Sequence, residues 1–431
     1  MSMIGHNGGM SFAQKWLNRI SIVWQYVYET RLAVWLSWYA WWLWWPLYWG
    51  VKRNNIRFVI NISQGTGQVL PELDNFLHRL KLGAHEQRRY VWLRVVTDFS
   101  RACVRLYGHY FWFAAASNVL YDLCLPMILH WPDITLDAGM AGLTWQLPTD
   151  TRYVPPRPWA THLVALSKEV PLAQWKDYYR IRAQDTDYYP LRSAAADSLA
   201  PDNPLRTFLG SATQNLALVH IKENVMNATA HITDPGTYLP ALAYLADQRY
   251  RLVFVGREHM PEAFKQFDML NYANSSIASF AHDLQLFAIA KLAITGGSGI
   301  AWIADVLGTP TLYLNSWHLF MPPFQKDCVF VPTLVQKKTG EYLTFTEQYR
   351  LYRSTPADRG DVFPIETHAP RNASADEILT SLKELISLMT HPAPLSDLQE
   401  KYRQLGREGW VEYAQSRISS DFVKKHKNLL A

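Results

Sequence analysis

The sharpest chemical signal in the chain is Ala293-Ile294-Thr295-Gly296-Gly297-Ser298-Gly299 and the segment behind it. An apolar, strand-like run ends in Gly-Gly-Ser-Gly and passes straight into a helical pattern over Gly299–Leu307. Free N–H groups and the positive end of a helix dipole then meet at the carboxyl edge of a strand, a place that favours phosphate. Gly296, Gly297 and Gly299 let a ligand approach the backbone, and Ser298 adds a hydroxyl. Asp305, on the same helix, offers a carboxylate for ribose hydroxyls. Gly308 suits a left-handed helix end, and Pro310 prevents the helix from resuming. No Lys follows the glycines, so this is not a Walker loop, and the spacing is not GxGxxG. An ordinary tight strand-to-helix turn has the same spelling.

The second signal is Val219-His220-Ile221-Lys222-Glu223-Asn224. Charged residues at the end of the first strand of a parallel unit fall at the ligand crevice of such sheets. Lys222 can meet a diphosphate as a point charge. Glu223 can hold Lys222 or meet a sugar hydroxyl, and His220 stands at the strand end. The alternative is a strand end that simply meets water. Gly256-Arg257 ends the next strand, a weaker signal of the same kind. Asp283, after His282, serves equally as a ligand contact or a helix cap.

A third loop, Ser63-Gln64-Gly65-Thr66-Gly67-Gln68, follows the first strand of the first half. Glu72 and Asp74 come next, candidates for a catalytic base. Acids at helix starts also complement the dipole without any catalytic role. Asp185 and Asp187 have the i, i+2 spacing of a hard-cation pair. Their surroundings are polar, Tyr-rich and Pro-bounded rather than a buried strand end. No zinc-spaced cluster, HExxH or Gly-x-Ser-x-Gly occurs, so the sequence predicts no metal and no cofactor.

These residues need a scaffold with parallel strands. Ile56–Ile62 is a continuous apolar run, the mark of a strand buried on both faces. Helix Val69–Leu82, strand Tyr90–Val96, and helices Ala102–Tyr107 and Tyr110–Leu120 are predicted after it. A second alternating unit begins at strand Leu216–Ile221. It continues with helix Asp234–Asp247, strand Arg251–Val255, helix His282–Ala290, strand Leu292–Thr295, helix Gly299–Leu307 and strand Thr311–Leu314. Strands alternating with helices imply parallel sheets. Ser374 with Glu377 and Ser396 with Gln399 have the spacing of capping boxes. The expected class is α/β, two Rossmann-like domains facing a cleft. The expected division is a tail and Trp-rich segment at 1–51, an acceptor-side domain with a Pro-rich linker at 52–205, a donor domain at 206–370 and C-terminal helices at 371–431.

The 431 residues carry a formal charge of +5. Residues 1–60 hold Lys15, Arg19, Arg31, Lys52, Arg53 and Arg57 against Glu29 alone, so the rest is neutral. That excludes a nucleic-acid binder with a basic folded face. Three widely spaced cysteines, Cys103, Cys124 and Cys328, exclude a disulfide framework. Nine of the 18 tryptophans fall in the first 50 residues, and Leu32–Val51 carries no charge. Twenty residues reach the length of a membrane span, yet Trp and Tyr prefer the headgroup interface. Residues 12–50 are therefore read as helix lying in one leaflet, a membrane-surface anchor, with Pro46 breaking or kinking its last turns. A full membrane span and a packed helix are the alternatives.

Taken together, these motifs resemble a group of bacterial glycosyltransferases known mainly from sequence, distant relatives of the GT-B superfamily and of heptosyltransferases. The likeness runs from about residue 56 to 350. The group's Gly-His-Leu-x-x-Glu-x-Asp loop reads here Gly67-Gln68-Val69-Leu70-Pro71-Glu72-Leu73-Asp74. Its His-Val-Arg-Glu strand reads His220-Ile221-Lys222-Glu223. Its Ser-Gly loop and Gly-x-Pro read Gly297-Ser298-Gly299 and Gly308-Thr309-Pro310. Its Tyr-Leu-Thr-Phe-x-Glu element reads Tyr342 to Glu347. Gln68 replaces the group's loop His, and Lys222 its Arg, losing a bidentate fork on phosphate.

The resemblance implies a GT-B-like fold and a nucleotide-sugar donor in the second half. It also implies a glycan or lipid-linked acceptor near the first half and no bound metal. The donor side would comprise His220, Lys222, Glu223, Arg257, Asp283, Gly296, Gly297, Ser298, Gly299 and Asp305. Catalysis would involve Glu72, Asp74 or Gln68. The expected function is metal-independent, inverting glycosyl transfer at the cytoplasmic face of the inner membrane. A non-hydrolysing sugar-nucleotide epimerase and a catalytically degenerate membrane-associated binding protein are the alternatives.

Overall fold

A computed structural model describes residues 45–60, 66–83, 88–95, 98–107, 112–116, 135–137, 180–184, 189–197, 203–210, 215–222, 233–316, 323–354, 364–406 and 414–431. The described part of the N-terminal segment is α1 (Trp45–Arg53), with Pro46 in its first turn, where a missing N–H costs nothing. Among the described residues no helix is long and apolar enough to cross a membrane. The rest of the expected anchor, residues 12–44, lies outside them.

The first sheet is wholly parallel, in the order β3 (Trp112–Ala116), β2 (Arg89–Val95), β1 (Ile56–Ile60), β4 (Thr135–Asp137). Helices α2 (Thr66–Lys81) and α3 (Asp98–Tyr107) link its strands. β3 corrects the helix expected over Tyr110–Leu120. Trp-Phe-Ala-Ala-Ala suits a helix by propensity, but the backbone pairs in register with β2, Trp92 opposite Phe113. Ladder bonds outweigh alanine's small helical preference in so short an apolar run.

Helices α4 (Tyr189–Asp197) and α5 (Pro204–Leu209) lead into the second sheet. Its order is β13-β10-β9-β8-β5-β6-β7, again parallel throughout. The strands are β5 (Leu216–Val219), β6 (Arg251–Phe254), β7 (Leu270–Asn271), β8 (Leu292–Gly296), β9 (Thr311–Ser316), β10 (Cys328–Pro332) and β13 (Arg417–Ile418). Between them run α6 (Leu239–Asp247), α7 (Phe280–Ile289) and α8 (Ala301–Leu307). A small antiparallel pair, β11 (Leu334–Lys337) with β12 (His368–Arg371), sits apart, followed by α10 (Ala375–Thr390) after α9 (Phe345–Ser354). The C-terminal segment, expected to be helical, also supplies β13 between α11 (Asp397–Leu405) and α12 (Ser420–Lys425).

β5 has both faces buried. Ala217 and Val219 join a core with α6, α10 and α12, while Leu216 and Leu218 join the opposite one. That second core runs on without a break through α7 and α8 into α2, α3 and strand residues Val59 and Trp92 of the first sheet. Over the described residues, packed helices join the two sheets.

Candidate functional site

Strand order fixes where a site can lie. From β5 the chain adds β6 and β7 on one side, then returns to place β8 on the other. The crevice at the carboxyl ends of β5 and β8 is therefore a topological switch point, the place where open parallel sheets bind ligands. In the first sheet the same reversal separates β1 from β4. Its loop, residues 61–65, lies outside the described residues, as does the side chain of Gln68 in the first turn of α2.

Both strong sequence signals converge on the second switch point. β8 ends at Gly296, whose added Cβ would stand 3.2 Å from the Leu314 carbonyl oxygen. The chain then reverses tightly: the Ser298 N–H donates to the Gly296 carbonyl at 2.7 Å, and the Ile300 N–H to Ser298 Oγ at 3.3 Å. No side chain caps α8. Among the described residues, the Gly299 N–H has no backbone acceptor, while the Gly297 N–H faces the Leu314 carbonyl in the β8/β9 ladder. From the far side of the crevice Lys222 Nζ donates to the Gly297 carbonyl at 3.4 Å. A cation and a glycine turn thus meet across the switch point. Glu223 lies outside the described residues.

His220 is buried behind this edge. Its Nε2 lies 3.3 Å from a Glu258 carboxylate oxygen, while its buried Nδ1 has no hydrogen-bond partner. Gly256 makes the contact possible. Its φ is +112°, and a Cβ there would stand 2.6 Å from His220 Cδ2 and 2.7 Å from Glu258 Oε2. Burial pushes the Glu258 carboxyl up, but His220 and backbone N–H donors outweigh it and hold it at about 2. Glu258 had no signal in its spacing; only the strand order makes it His220's neighbour. Arg257 is exposed beside it.

Asp283 is not the α7 cap. Ser279 caps that helix, accepting from the His282 N–H at 3.3 Å. Burial raises the Asp283 carboxyl to about 7, opposed by the Tyr272 hydroxyl and Arg257. Arg257 is near enough to Asp283 for its charge to oppose that rise.

Three acidic residues fall elsewhere than expected. Asp305 is 3% exposed and turns toward the first half, not toward a ribose in the crevice. Burial raises its carboxyl to about 8, against Arg182 and the backbone N–H groups of Phe324 and Gln325. Glu72 and Asp74 are both 0% exposed. Asp74 contacts His78 Nε2 and Arg182 Nε, each at 3.3 Å. A general base must come within hydrogen-bond reach of its proton, and these two carboxylates are sealed in the packing of α2 on α8. Their spacing along α2 points them inward with Leu70, Leu73, Phe76 and Leu77. Asp74 and Asp305 build a buried polar cluster joining the halves, with His78 and Arg182.

The Thr344–Glu347 element is a helix cap. Glu347 accepts from the Thr344 N–H at 2.7 Å, and Thr344 Oγ1 accepts from the Glu347 N–H at 3.2 Å. Asn315, not singled out by sequence, is the penultimate residue of β9, at φ 58°, and joins two loops through Thr233 and the Ala373 N–H. Among the described residues no group of three or more His, Cys, Asp or Glu is placed to hold a metal. Asp185 and Asp187 lie outside them.

The sequence matches no protein-family model and no curated protein. Solved structures similar to it include E. coli ADP-heptose lipopolysaccharide heptosyltransferase II, at 13% identity and TM-score 0.44, over 78% of this chain and 100% of that one. A glycosyl transferase family 9 protein from Veillonella parvula has 11% identity and TM-score 0.41, over 77% of this chain and 98% of that one. E. coli heptosyltransferase WaaC with ADP-2-deoxy-2-fluoro heptose has 13% identity and TM-score 0.38, over 66% and 95%.

Proposed function

We propose that this chain is a glycosyltransferase of GT-B type that takes a sugar from a nucleotide-sugar donor. The observation that carries the reading is the pairing of Lys222 with the Gly296–Gly299 turn across the β5/β8 switch point. A donor diphosphate would seat there, its negative charge meeting the Gly299 amide and the Lys222 ammonium. His220, with its unsatisfied Nδ1, and Arg257 with Asp283 would line the nucleoside and sugar side.

In the reaction the acceptor hydroxyl oxygen forms a bond to the anomeric carbon as the carbon–oxygen bond to diphosphate breaks. The leaving oxygen takes the electron pair. The proton passes to a base on the acceptor side other than Glu72 and Asp74. Direct displacement inverts the anomeric centre. Lys222 and the Gly299 amide stabilise the charge growing on the diphosphate, each such donor contributing about 3 kcal/mol in a water-excluded site. A fixed donor and an ammonium in that role allow metal-independent transfer. The acceptor in this reading is a glycan or lipid-linked molecule at the cytoplasmic face of the inner membrane, where nucleotide sugars are supplied.

The test is a panel of nucleotide sugars with detergent-solubilised membrane lipid as acceptor. Transfer of labelled sugar to lipid, lost in Lys222→Ala, supports the reading. Interconversion of the donor without transfer would make the chain an epimerase. Failure to bind any nucleoside diphosphate would overturn the donor site.

A further inference from the structure

We infer that one face of α1 is a docking surface for an anionic lipid bilayer, held rigidly to the first sheet. At 100° per residue, Trp45 and Trp49 lie on the same side of the helix. They are 44% and 58% exposed. Lys52 and Arg53 follow on the two flanks of that side, both exposed. The opposite side carries Val51, the helix's one buried residue, which faces the protein. Leu47, 45% exposed, lies on Val51's side of the helix, away from the two tryptophans. The helix contains no acid.

Two indole rings flanked by two cations match the headgroup region of an anionic leaflet. The rings prefer that boundary, and the cations meet lipid phosphates. A protein partner would require a shaped apolar groove or acidic complement. The helix instead offers a convex, aromatic and purely cationic face. It also carries the last seven residues, Trp45–Val51, of the uncharged Leu32–Val51 stretch.

The helix cannot swing freely on the sheet. The Asn54 N–H and its side-chain amide both donate to the Gly50 carbonyl, at 3.1 and 2.7 Å. Asn55, at φ 54°, turns the chain directly into β1, and its carbonyl accepts from the Arg89 N–H at 3.1 Å. α1 therefore joins the amino edge of the first sheet through two residues. The switch-point loop lies at the opposite end of β1, about 15 Å away at the usual strand rise. The docked face thus fixes how the first half meets the membrane. This deepens the proposed function by naming its lipid partner, yet the lipid contact stands on its own residues.

The experiment is flotation of the full chain with vesicles of phosphatidylcholine alone or mixed with phosphatidylglycerol. Trp45→Ser/Trp49→Ser should weaken binding to both. Lys52→Gln/Arg53→Gln should weaken binding to the anionic vesicles about 30-fold, leave neutral vesicles unaffected and lose its effect at high salt. Lys424→Gln/Lys427→Gln, exposed at the far end of the chain, should float like the wild type. Wild-type flotation of the combined four-residue variant, or an equal loss in the Lys424/Lys427 control, would overturn the inference. Melting-temperature shifts with a nucleoside diphosphate, measured on the same variants, report the donor site separately, so a failed flotation and a failed donor site cannot be confused.

Discussion

Gly256→Ala tests the geometry behind the switch point. Gly256 has φ +112°, a conformation that costs an L-residue about 1–3 kcal/mol. The new methyl would also stand 2.6 Å from His220 Cδ2 and 2.7 Å from Glu258 Oε2. Neither gap admits a carbon, so one side chain must move and their 3.3 Å contact breaks. A buried imidazole left without its carboxylate costs about 1–3 kcal/mol more. The sum, about 2–6 kcal/mol, corresponds to a fall in melting temperature on the order of 10 °C for a unit of this size. Gly50→Ala is the control. It lies inside α1 with no atom within 4 Å of the added Cβ, so it should be neutral or slightly stabilising. Differential scanning calorimetry of the two variants decides. If Gly256→Ala melts with the wild type, the His220–Glu258 contact is not as described.

Burial raises the Asp305 carboxyl to about 8 from 3.8, against Arg182. A raised carboxyl contributes fully below pH 4, and its contribution is lost as pH climbs from 4 through 8. Asp305→Asn should therefore gain stability relative to wild type between pH 5 and pH 9, by several kcal/mol in urea titrations; a constant difference would contradict the buried placement. Glu377 titrates the other way. Burial raises its carboxyl, but His426, Arg371, the Ser374 N–H and Lys425 overcome that and hold it well below the usual range. Its contribution is present above pH 4.5 and lost in acid, so Glu377→Gln should destabilise at pH 7 and converge on wild type as the pH falls toward 2. Ser374→Ala, which removes a hydroxyl accepting from the Glu377 N–H, should cost about 1 kcal/mol by denaturant midpoint; no change would mean the box is not formed.

Much of the scaffold was legible because parallel strands buried on both faces are written as unbroken apolar runs. Leu216–Val219 and Leu292–Gly296 are such runs, and both capping boxes form as spelled. The glycine turn and Lys222 were legible because carboxyl strand ends collect polar residues there. Trp112–Ala116 was misread because a five-residue apolar run has no period to separate strand from helix. Glu72, Asp74 and Asp305 were misjudged for a different reason. Acids near helix starts read as ligands or dipole partners, and only the packing of α2 on α8 buries all three and sets Asp74 and Asp305 beside Arg182. Glu258 was invisible because its partner His220 lies on another strand.

The most direct measurement is isothermal titration of a nucleoside diphosphate into wild type, Lys222→Ala and Gly297→Val. A seat between the Lys222 ammonium and the Gly299 amide predicts measurable wild-type affinity and a loss of about 10- to 100-fold in Lys222→Ala, the range of a charge-assisted hydrogen bond. Gly297→Val, which puts a branched side chain where phosphate approaches, should bind nothing measurable. Equal affinity in all three proteins would contradict the assignment of the β5/β8 crevice as the donor site.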